Sequence, residues 1–247
     1  MEQIRLQKFF TDCDILSRRA TEQAIKDGKV LVNGIPAEVG QKIDPDSDII
    51  EYEGKVIKPP KNSTYAYIML NKPRGFLSTV TDDRGRRCVT ELVADVGIRL
   101  YPIGRLDMDS EGLLLLTNDG DLTYQLTHPK HEIPKIYHVT VAGCVSSEQK
   151  KALESPMDID GYRILPVKTQ IIEKQADKTT LCMTLYEGRN RQIRKMCEQQ
   201  KLKVLTLRRV AIGTLKLDGL PLGKWKHLTK EQVNYLKQNK EKDTKSC

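Results

Sequence analysis

The stretch YPIGRLDMDSEGLLLLTNDGDL, residues 101–122, contains the strongest structural signal in the sequence. Its centre, residues 113–116, is four consecutive leucines, and we predict a β-strand over residues 112–118. Asp119 and Gly120 then predict a turn, and Asp121 predicts the start of a helix over residues 121–127. Arg105 and Asp107 lie just before the strand. The stretch therefore combines a core element with charged residues at its edge.

The carboxylates of this stretch leave more than one chemistry open. On a strand, Asp107, Asp109 and Glu111 would share one face. Such an arrangement would suit a carboxylate-based glycoside hydrolase or a metal site. Structural roles as caps and turns are the simpler interpretation of Asp119 and Asp121.

Composition excludes several classes of protein. In 247 residues, no apolar run approaches the roughly 18 residues needed to span a bilayer. The N-terminus resembles an amphipathic helix rather than a signal peptide, so we expect a cytoplasmic protein with no membrane partner. The six cysteines lack C-x-x-C spacing, and neither they nor the four histidines, including His128 and His131, complete a metal-site pattern. Phosphate-binding and dinucleotide-binding glycine motifs are absent, so no nucleotide cofactor is expected.

Elsewhere the sequence predicts two domains of α+β class. A small module covers residues 1–58, with two helices, the second capped by Ser17, followed by short strands. A Pro- and Ser-containing linker covers residues 59–64, a larger domain covers 65–237, and a disordered tail covers 238–247. The larger domain alternates strands (65–70, 112–118, 136–143, 179–188, 202–213) with helices (89–95, 121–127, 146–154, 190–200, 229–237), which favours a mixed or antiparallel sheet flanked by helices.

Positive charge is concentrated in one segment. Residues 186–237 carry 13 basic and 4 acidic residues, a net charge of +9, whereas the whole chain has a net charge of +8. A helix capped by Asn190 would place Arg191 and Arg194 side by side near its N-terminus. Paired guanidinium groups at that end of a helix suit an anion such as phosphate.

Several motifs together resemble one family. GRLDMDSEGLLLLTNDGDL resembles the signature of the RsuA/RluB group of ribosomal RNA pseudouridine synthases. The resemblance continues, in the family's order, through NKPRGFLST, KIYHVTV, EGRNRQIRKM and RRVAIGTLKLDGLPLGKWKHLT. The N-terminal segment is similar to the S-four-type (alpha-L) RNA-binding module. The resemblance covers about 230 residues and implies a small RNA-binding domain joined to a pseudouridine synthase domain.

The resemblance implies a reaction without cofactor or metal. A uridine in RNA is isomerised: its N-glycosidic bond breaks and the ribose rejoins the base at C5. The family's essential aspartate corresponds to Asp107, which would either attack the ribose or remove a proton from it. A carboxylate shielded from water needs a fixed cation nearby to stay ionised. Arg194 corresponds to the family's basic residue, with Arg191 as the competing candidate.

The same resemblance assigns the remaining site residues. Tyr137 would pack against the target uracil, which must leave its stack to react. Basic and polar residues that we expect to contact RNA are Arg5, Lys8, Ser17, Arg18, Arg19, Lys29 and Asn33 in the first module, and Lys72, Arg74, Arg105, Lys135, Arg191, Arg208 and Arg209 in the second, with Arg84, Arg86 and Arg87 as further candidates.

The sequence leaves two rival functions and one question about the substrate open. A non-catalytic RNA-binding assembly factor would lose Asp107, Tyr137 or Arg194, and all three are present. A hydrolase would use Asp107 with Asp109 or Glu111. Large-subunit (23S) ribosomal RNA is the expected partner and small-subunit (16S) RNA the alternative. We expect the protein to act as a monomer.

Overall fold

A computed structural model describes residues 3–59, 64–127 and 133–238 of the chain. The chain divides into two compact units, Met1–Thr64 and Tyr65–Cys247. Residues 60–63 of the predicted linker, His128, His131 and the predicted tail beyond Gln238 lie outside the described residues.

The first unit contains two helices and six short strands in its described part. In chain order they are β1 (Ile4–Arg5), α1 (Leu6–Asp12), α2 (Arg18–Lys26), β2 (Val30–Val32), β3 (Ile35–Pro36), β4 (Lys42–Ile43), β5 (Ile50–Tyr52) and β6 (Lys55–Ile57). Strands β3, β2, β5 and β6 form one antiparallel sheet in that order, and β1 pairs with β4.

Local sequence explains most of this unit. The Ser17 hydroxyl accepts a hydrogen bond from the Ala20 amide, which confirms Ser17 as the cap of α2. Asn33 and Gly34 both adopt positive φ, as the two-residue turn between β2 and β3 requires. The amphipathic helix expected at the N-terminus begins only at Leu6, and Ile4 before it pairs with Ile43 as a strand residue.

The second unit is larger and contains a 3-10 helix, Val89–Val96, besides its helices and strands. In chain order the latter are β7 (Tyr67–Lys72), β8 (Tyr101–Ile103), β9 (Glu111–Thr117), α3 (Gly120–Thr127), β10 (Lys135–Ala142), α4 (Ser147–Glu154), β11 (Asp158–Ile159), β12 (Tyr162–Arg163), β13 (Lys168–Lys174), β14 (Lys178–Leu185), α5 (Gln192–Gln199), β15 (Val204–Ile212), β16 (Leu215–Lys216), β17 (Trp225–His227) and α6 (Lys230–Gln238).

A mixed sheet organises this unit, as the sequence predicts. Its strands follow the order β13, β14, β10, β15, β9, β7, β17, with β16 added beside β15 and β8 beside β9. Among the described strands, β9 and β15 pair in parallel, and the other pairings of the sheet are antiparallel. The predicted α+β class with a mixed sheet is confirmed.

Strand β9 is buried on both of its faces. Leu114 and Leu116 belong to one apolar core, and Leu113 and Leu115 to another on the opposite side of the sheet. Because side chains alternate along a strand, four consecutive leucines feed two cores at once. The leucine run therefore marks the centre of the sheet.

Gly112 makes the parallel contact between β9 and β15 possible. It pairs with Arg209 and has a φ of 111°. A Cβ atom at this position would lie 2.2 Å from the Arg209 carbonyl oxygen. Only glycine accommodates such a close approach of two backbones. The approach joins the start of β9, directly after the Asp107 loop, to β15.

Some elements differ from their predicted positions. Strand β13 was not predicted, because its sequence KTQIIEK is rich in polar residues and its side chains are mostly exposed. Helix α5 begins at Gln192, with Arg191 in the cap position and no side chain capping it, so Asn190 is not the cap. Asp119 accepts a hydrogen bond from the Leu122 amide and thus has a capping role at the start of α3.

Candidate active site

A cavity of about 210 Å³ opens in the second unit beside the ends of β8, β9, β10 and β15. Its polar lining contains Asp107 and Tyr137 together with five basic residues. Those basic residues are Arg105, Lys135, Arg189, Arg191 and Arg209, and the apolar wall includes Ile103, Leu115, Leu126, Leu185, Leu207 and Ile212. Segments more than 100 residues apart in the chain thus meet around one small space.

A buried lysine holds the backbone of the loop that carries Asp107. Lys72 is 0% exposed, and its Nζ donates hydrogen bonds to the carbonyl oxygens of Asp107 at 3.0 Å, Ser110 at 2.9 Å and Pro73 at 3.1 Å. Burial lowers the pKa of Lys72 to about 8, although the carboxylates of Asp107 and Asp109 act in the opposite direction. The ammonium therefore fixes the backbone on both sides of the turn.

The Asp107 side chain faces both the cavity and a cation. It is 30% exposed, and one carboxylate oxygen lies 3.7 Å from Nη1 of Arg191. Arg191 itself adopts a left-handed conformation, with φ 52° and ψ 28°, which is uncommon for an arginine. This strained backbone conformation belongs to the residue whose guanidinium lies beside the carboxylate of Asp107, the candidate catalytic residue.

Asp109 binds the two arginines of helix α5. Its carboxylate accepts hydrogen bonds from both terminal nitrogens of Arg191, at 3.3 and 3.1 Å. Arg194 places its Nε 3.3 Å from the same carboxylate and donates from Nη2 to the Asp109 carbonyl oxygen at 3.0 Å. Burial alone would raise the pKa of Asp109, but these two guanidinium groups bring it below its usual value. The predicted side-by-side arrangement of Arg191 and Arg194 is thus present.

Arginine 194 reaches the Asp107 loop without lining the cavity. Besides Asp109, its Nη2 lies 3.4 Å from the Ser110 hydroxyl. The ion pair with Asp107 is made by Arg191, whereas Arg194 contacts Asp109 and Ser110. Both cations therefore lie close to the same loop.

Tyr137 and Arg209 lie on adjacent strands and face the cavity together. They are register partners on β10 and β15, and both are at least nine-tenths buried. Nη1 of Arg209 lies 3.5 Å from the Tyr137 hydroxyl, and its Nε donates to the Leu113 carbonyl oxygen at 2.7 Å. Lys135 lies two residues before Tyr137, and burial, with a further contribution from Arg209, lowers its pKa to about 8.

Comparison with known proteins assigns both units to families. A family model described as RNA pseudouridylate synthase matches residues 66–199, which is more than half of the chain. A second model, the S4 domain, matches residues 15–49. The chain belongs to the RNA pseudouridylate synthase family.

Individual pseudouridine synthases resemble this chain over nearly its whole length. The ribosomal large subunit pseudouridine synthase B of Bacillus subtilis is 39% identical, with 94% of this chain and 95% of that protein covered. The dual-specificity RNA pseudouridine synthase RluF of Escherichia coli is 36% identical, with 93% and 77% covered. A solved structure of a pseudouridylate synthase superposes with a TM-score of 0.67 at 29% identity, covering 94% of this chain and 99% of that one.

Membership of the pseudouridine synthase family confirms the predicted enzyme class and the RsuA/RluB-type resemblance. The hydrolase hypothesis used Asp107 with Asp109 or Glu111, which a strand would place on one face. The structure contradicts that arrangement, because β9 begins only at Glu111 and residues 107–110 form a turn closed by a hydrogen bond from the Ser110 amide to the Asp107 carbonyl. In addition, Asp109 is paired with arginines and Glu111 lies 3.7 Å from Arg74.

One predicted RNA contact of the synthase domain is wrong. Lys72 cannot reach an RNA phosphate, because its ammonium is fully buried and bound to three backbone carbonyls. Arg209 is also buried, so it could meet only a group that enters the cavity. The sequence gives no warning of either burial, since lysine and arginine are almost always at the surface.

The remaining predicted RNA contacts lie at or near the surface. Arg105 is exposed at the cavity rim, and Arg74 donates to the Leu205 carbonyl oxygen at 3.1 Å. Arg208 is half-buried, and Arg86 is bound to Asp82. Arg84 is exposed, and Arg87 lies over the Phe76 ring.

In the S4 unit, several predicted contacts also have structural partners. Lys8 pairs with Asp12, Lys29 with Glu53, and the Asn33 side chain bonds Asp48 and the Ile49 amide. Arg5, Ser17, Arg18 and Arg19 are exposed. Their contacts with RNA stay predictions.

Asp109 is the residue whose importance the sequence did not reveal. It appeared there only as a possible second carboxylate of a hydrolase, whereas the structure pairs it with Arg191 and Arg194. In the described ranges, no group of three His, Cys, Asp or Glu residues could hold a metal ion. Within those same ranges, no helix is long and apolar enough to cross a bilayer.

Proposed function

We propose that this synthase converts a specific uridine of large-subunit ribosomal RNA to pseudouridine, with Asp107 as the catalytic carboxylate. The observation that supports the catalytic assignment is the position of Asp107: on a cavity wall, 3.7 Å from Arg191, on a loop clamped by Lys72. A carboxylate beside a fixed cation can act as nucleophile or as base toward a ribose.

The other cavity residues have roles that follow from their contacts. The positive charges of Arg191 and Arg194 offset the negative charges of the loop that carries Asp107, and Asp109 lies between the two arginines. Tyr137 offers an aromatic surface to a base that has left its stack, since unstacked bases are commonly held against aromatic rings. As the resemblance to RNA pseudouridine synthases implies, we expect no cofactor.

Ribosomal RNA as substrate is supported by the relatives and by charge. The Bacillus subtilis relative is named for the large subunit, and the net charge of +9 in residues 186–237 suits a polyanion. Small-subunit RNA is the alternative substrate. Because the proposed substrate is ribosomal RNA, we expect the enzyme to work in the cytoplasm.

Mapping of pseudouridines tests this proposal. Ribosomal RNA would be compared between wild-type cells, a deletion strain, and deletion strains carrying the wild-type, Asp107→Asn or Asp177→Asn gene. Asp177 is an exposed acidic residue outside the cavity, so its variant is the matched control. We expect one 23S position to be lost on deletion, restored by the wild type and by Asp177→Asn, and not restored by Asp107→Asn.

Other outcomes would revise specific parts. A deletion that leaves every pseudouridine of ribosomal RNA in place would refute the proposed substrate. Loss of a 16S position would establish the alternative. Restoration by Asp107→Asn would overturn the catalytic assignment alone.

A further inference from the structure

Arg209 is a buried cation whose third nitrogen has no partner. The residue is 5% exposed and lines the cavity that contains Asp107. Its Nε is bound to the Leu113 carbonyl oxygen and its Nη1 lies near the Tyr137 hydroxyl. Its Nη2 is buried and has no hydrogen-bond partner among the described residues. An unsatisfied buried donor is rare in proteins and costly, so it calls for an explanation.

The charge of Arg209 also lacks a counter-ion in the described part of the chain. Arg74, Arg191 and Arg194 each lie within 4 Å of a carboxylate, and Arg209 does not. The side chain of Lys135 lines the same cavity and likewise has no carboxylate within 4 Å among the described residues. A buried charge without a partner is strongly unfavourable. A ligand that brings an acceptor or a negative charge into the cavity would relieve that cost.

Pseudouridine formation creates such a ligand. When the N1–C1′ bond breaks, its electron pair leaves with the base, and the resulting uracil anion shares the charge between N1 and its two carbonyl oxygens. The ring then turns, C5 bonds to C1′, the proton on C5 is lost, and N1 gains a proton. Atoms and electrons balance without any co-reactant, whichever step Asp107 performs at the ribose.

We propose that the Arg209 guanidinium binds a carbonyl oxygen of the flipped uracil and stabilises the uracil anion after the glycosidic bond breaks. This inference rests on the proposed function. The Tyr137 hydroxyl lies close to the Arg209 guanidinium, and both residues line the cavity. A base held against the Tyr137 ring would therefore lie beside the Arg209 cation. A preorganised donor aimed at developing charge is the most effective form of electrostatic catalysis.

A leaving-group comparison tests the proposal. The substrates are an RNA fragment with the mapped uridine and the same fragment with 5-fluorouridine at that position. Fluorine makes the uracil more acidic and therefore a better leaving group. The measured quantity is the single-turnover loss of the starting nucleotide, because the fluorinated base has no C5 proton to release.

Arg209→Gln should slow loss of the normal nucleotide by roughly 100-fold, the effect of removing one oxyanion donor, and slow loss of the fluorinated one several-fold less. Arg163→Gln removes an exposed arginine outside the cavity and should leave both rates unchanged. An equal slowing on both substrates, or no slowing, would overturn the proposal. Failure of the wild-type enzyme to act on ribosomal RNA would instead count against the proposed substrate.

A second measurement needs no variant, which matters because Arg209 also holds the Leu113 carbonyl and its replacement could unfold the protein. The wild-type enzyme is titrated at neutral pH with uracil and with 5-nitrouracil, an acidic analogue that is then an anion. We expect the anion to bind at least tenfold more tightly. Equal or weaker binding of 5-nitrouracil would contradict an anion-stabilising Arg209, whatever the natural RNA substrate is.

Discussion

The Asp109 carboxylate accepts hydrogen bonds from both terminal nitrogens of Arg191, at 3.3 and 3.1 Å. The carboxylate of Asp107 lies farther from Arg191, at 3.7 Å. Arg191 is therefore positioned chiefly by Asp109, and Asp107 benefits from a cation that another residue holds. Two arginines three residues apart would otherwise repel each other, and Asp109 offsets that repulsion.

Replacing Asp109 tests this relationship. Asp109→Asn keeps the shape of the side chain but removes the charge that holds Arg191, so we expect the single-turnover rate to fall roughly tenfold. Since Asp109 and Arg191 are both more than a third exposed, the free energy of unfolding should change by less than about 1 kcal/mol. Asp177→Asn is the control, and an unchanged rate for Asp109→Asn would show that Arg191 does not depend on it.

Replacing Lys72 distinguishes two roles for this residue, a structural clamp on the Asp107 loop and a contact with RNA. Lys72→Met keeps the length of the side chain but leaves the carbonyls of Asp107 and Ser110 without their donor. We expect the free energy of unfolding to fall by about 2 kcal/mol and the rate to fall more than tenfold, with unchanged affinity for RNA.

Lys168→Met replaces an exposed lysine of β13 and should change none of these quantities. Denaturant unfolding, single-turnover kinetics and filter binding provide the three readouts. If Lys72→Met weakened RNA binding alone, Lys72 would be a phosphate contact after all.

Gly112→Ala tests the close approach of β9 to β15. The new Cβ would lie 2.2 Å from the Arg209 carbonyl oxygen and would also require an unfavourable φ of 111°. We expect a loss of about 3 kcal/mol or more in the free energy of unfolding. Gly143→Ala is the matched control, because Gly143 has a φ of 74° but nothing within 4 Å of the added atom, and it should cost only about 1 kcal/mol. Equal losses would mean that the approach of the strands is adjustable.

The lowered pKa of Asp119 predicts that the protein loses stability in acid. Burial alone would raise its pKa, but the Leu122 amide, the Tyr67 hydroxyl and the Lys237 ammonium hold the pKa below its usual 3.8. The unfolded state therefore binds the proton first as the pH falls. The stabilisation is complete above the unfolded value and is lost as the pH drops through the folded one.

Asp119→Asn should consequently be less stable at pH 7 and should lose less stability than the wild type below about pH 4. Denaturant unfolding between pH 7 and pH 3 measures the difference, with Asp177→Asn as the control for an exposed carboxylate. A wild-type and an Asp119→Asn curve that stay parallel would contradict a lowered pKa.

The S4 unit predicts salt-dependent RNA binding through α2. Arg18 and Arg19 are exposed at the start of this helix. Replacing both with glutamine should weaken binding and should reduce the slope of log affinity against log salt by about 1 to 2, since each phosphate contact contributes roughly 0.7 to 0.9. Lys55→Gln, at an exposed strand residue, should have a smaller effect. An unchanged slope would remove α2 from the RNA surface.

Local sequence predicted much of this protein because its signals act over a few residues. The four leucines of β9, the Ser17 cap and the Asn33–Gly34 turn each depend on neighbours in the chain. The ordered motifs also predicted the family and the candidate catalytic residue Asp107. Strand β13 escaped prediction because polar residues dominate it, and its place comes from pairing with β14.

Only the tertiary structure decided how the charged residues are used. Lys72 and Arg209 look like surface cations in the sequence, yet the sheet buries both, and three carbonyls from two separate segments satisfy the lysine. Likewise, Arg191 pairs with Asp107 and Asp109 across more than 80 residues of chain. A charge binds whatever the fold brings within a few ångströms, and that distance depends on strand pairing and loop position rather than on residue type or spacing.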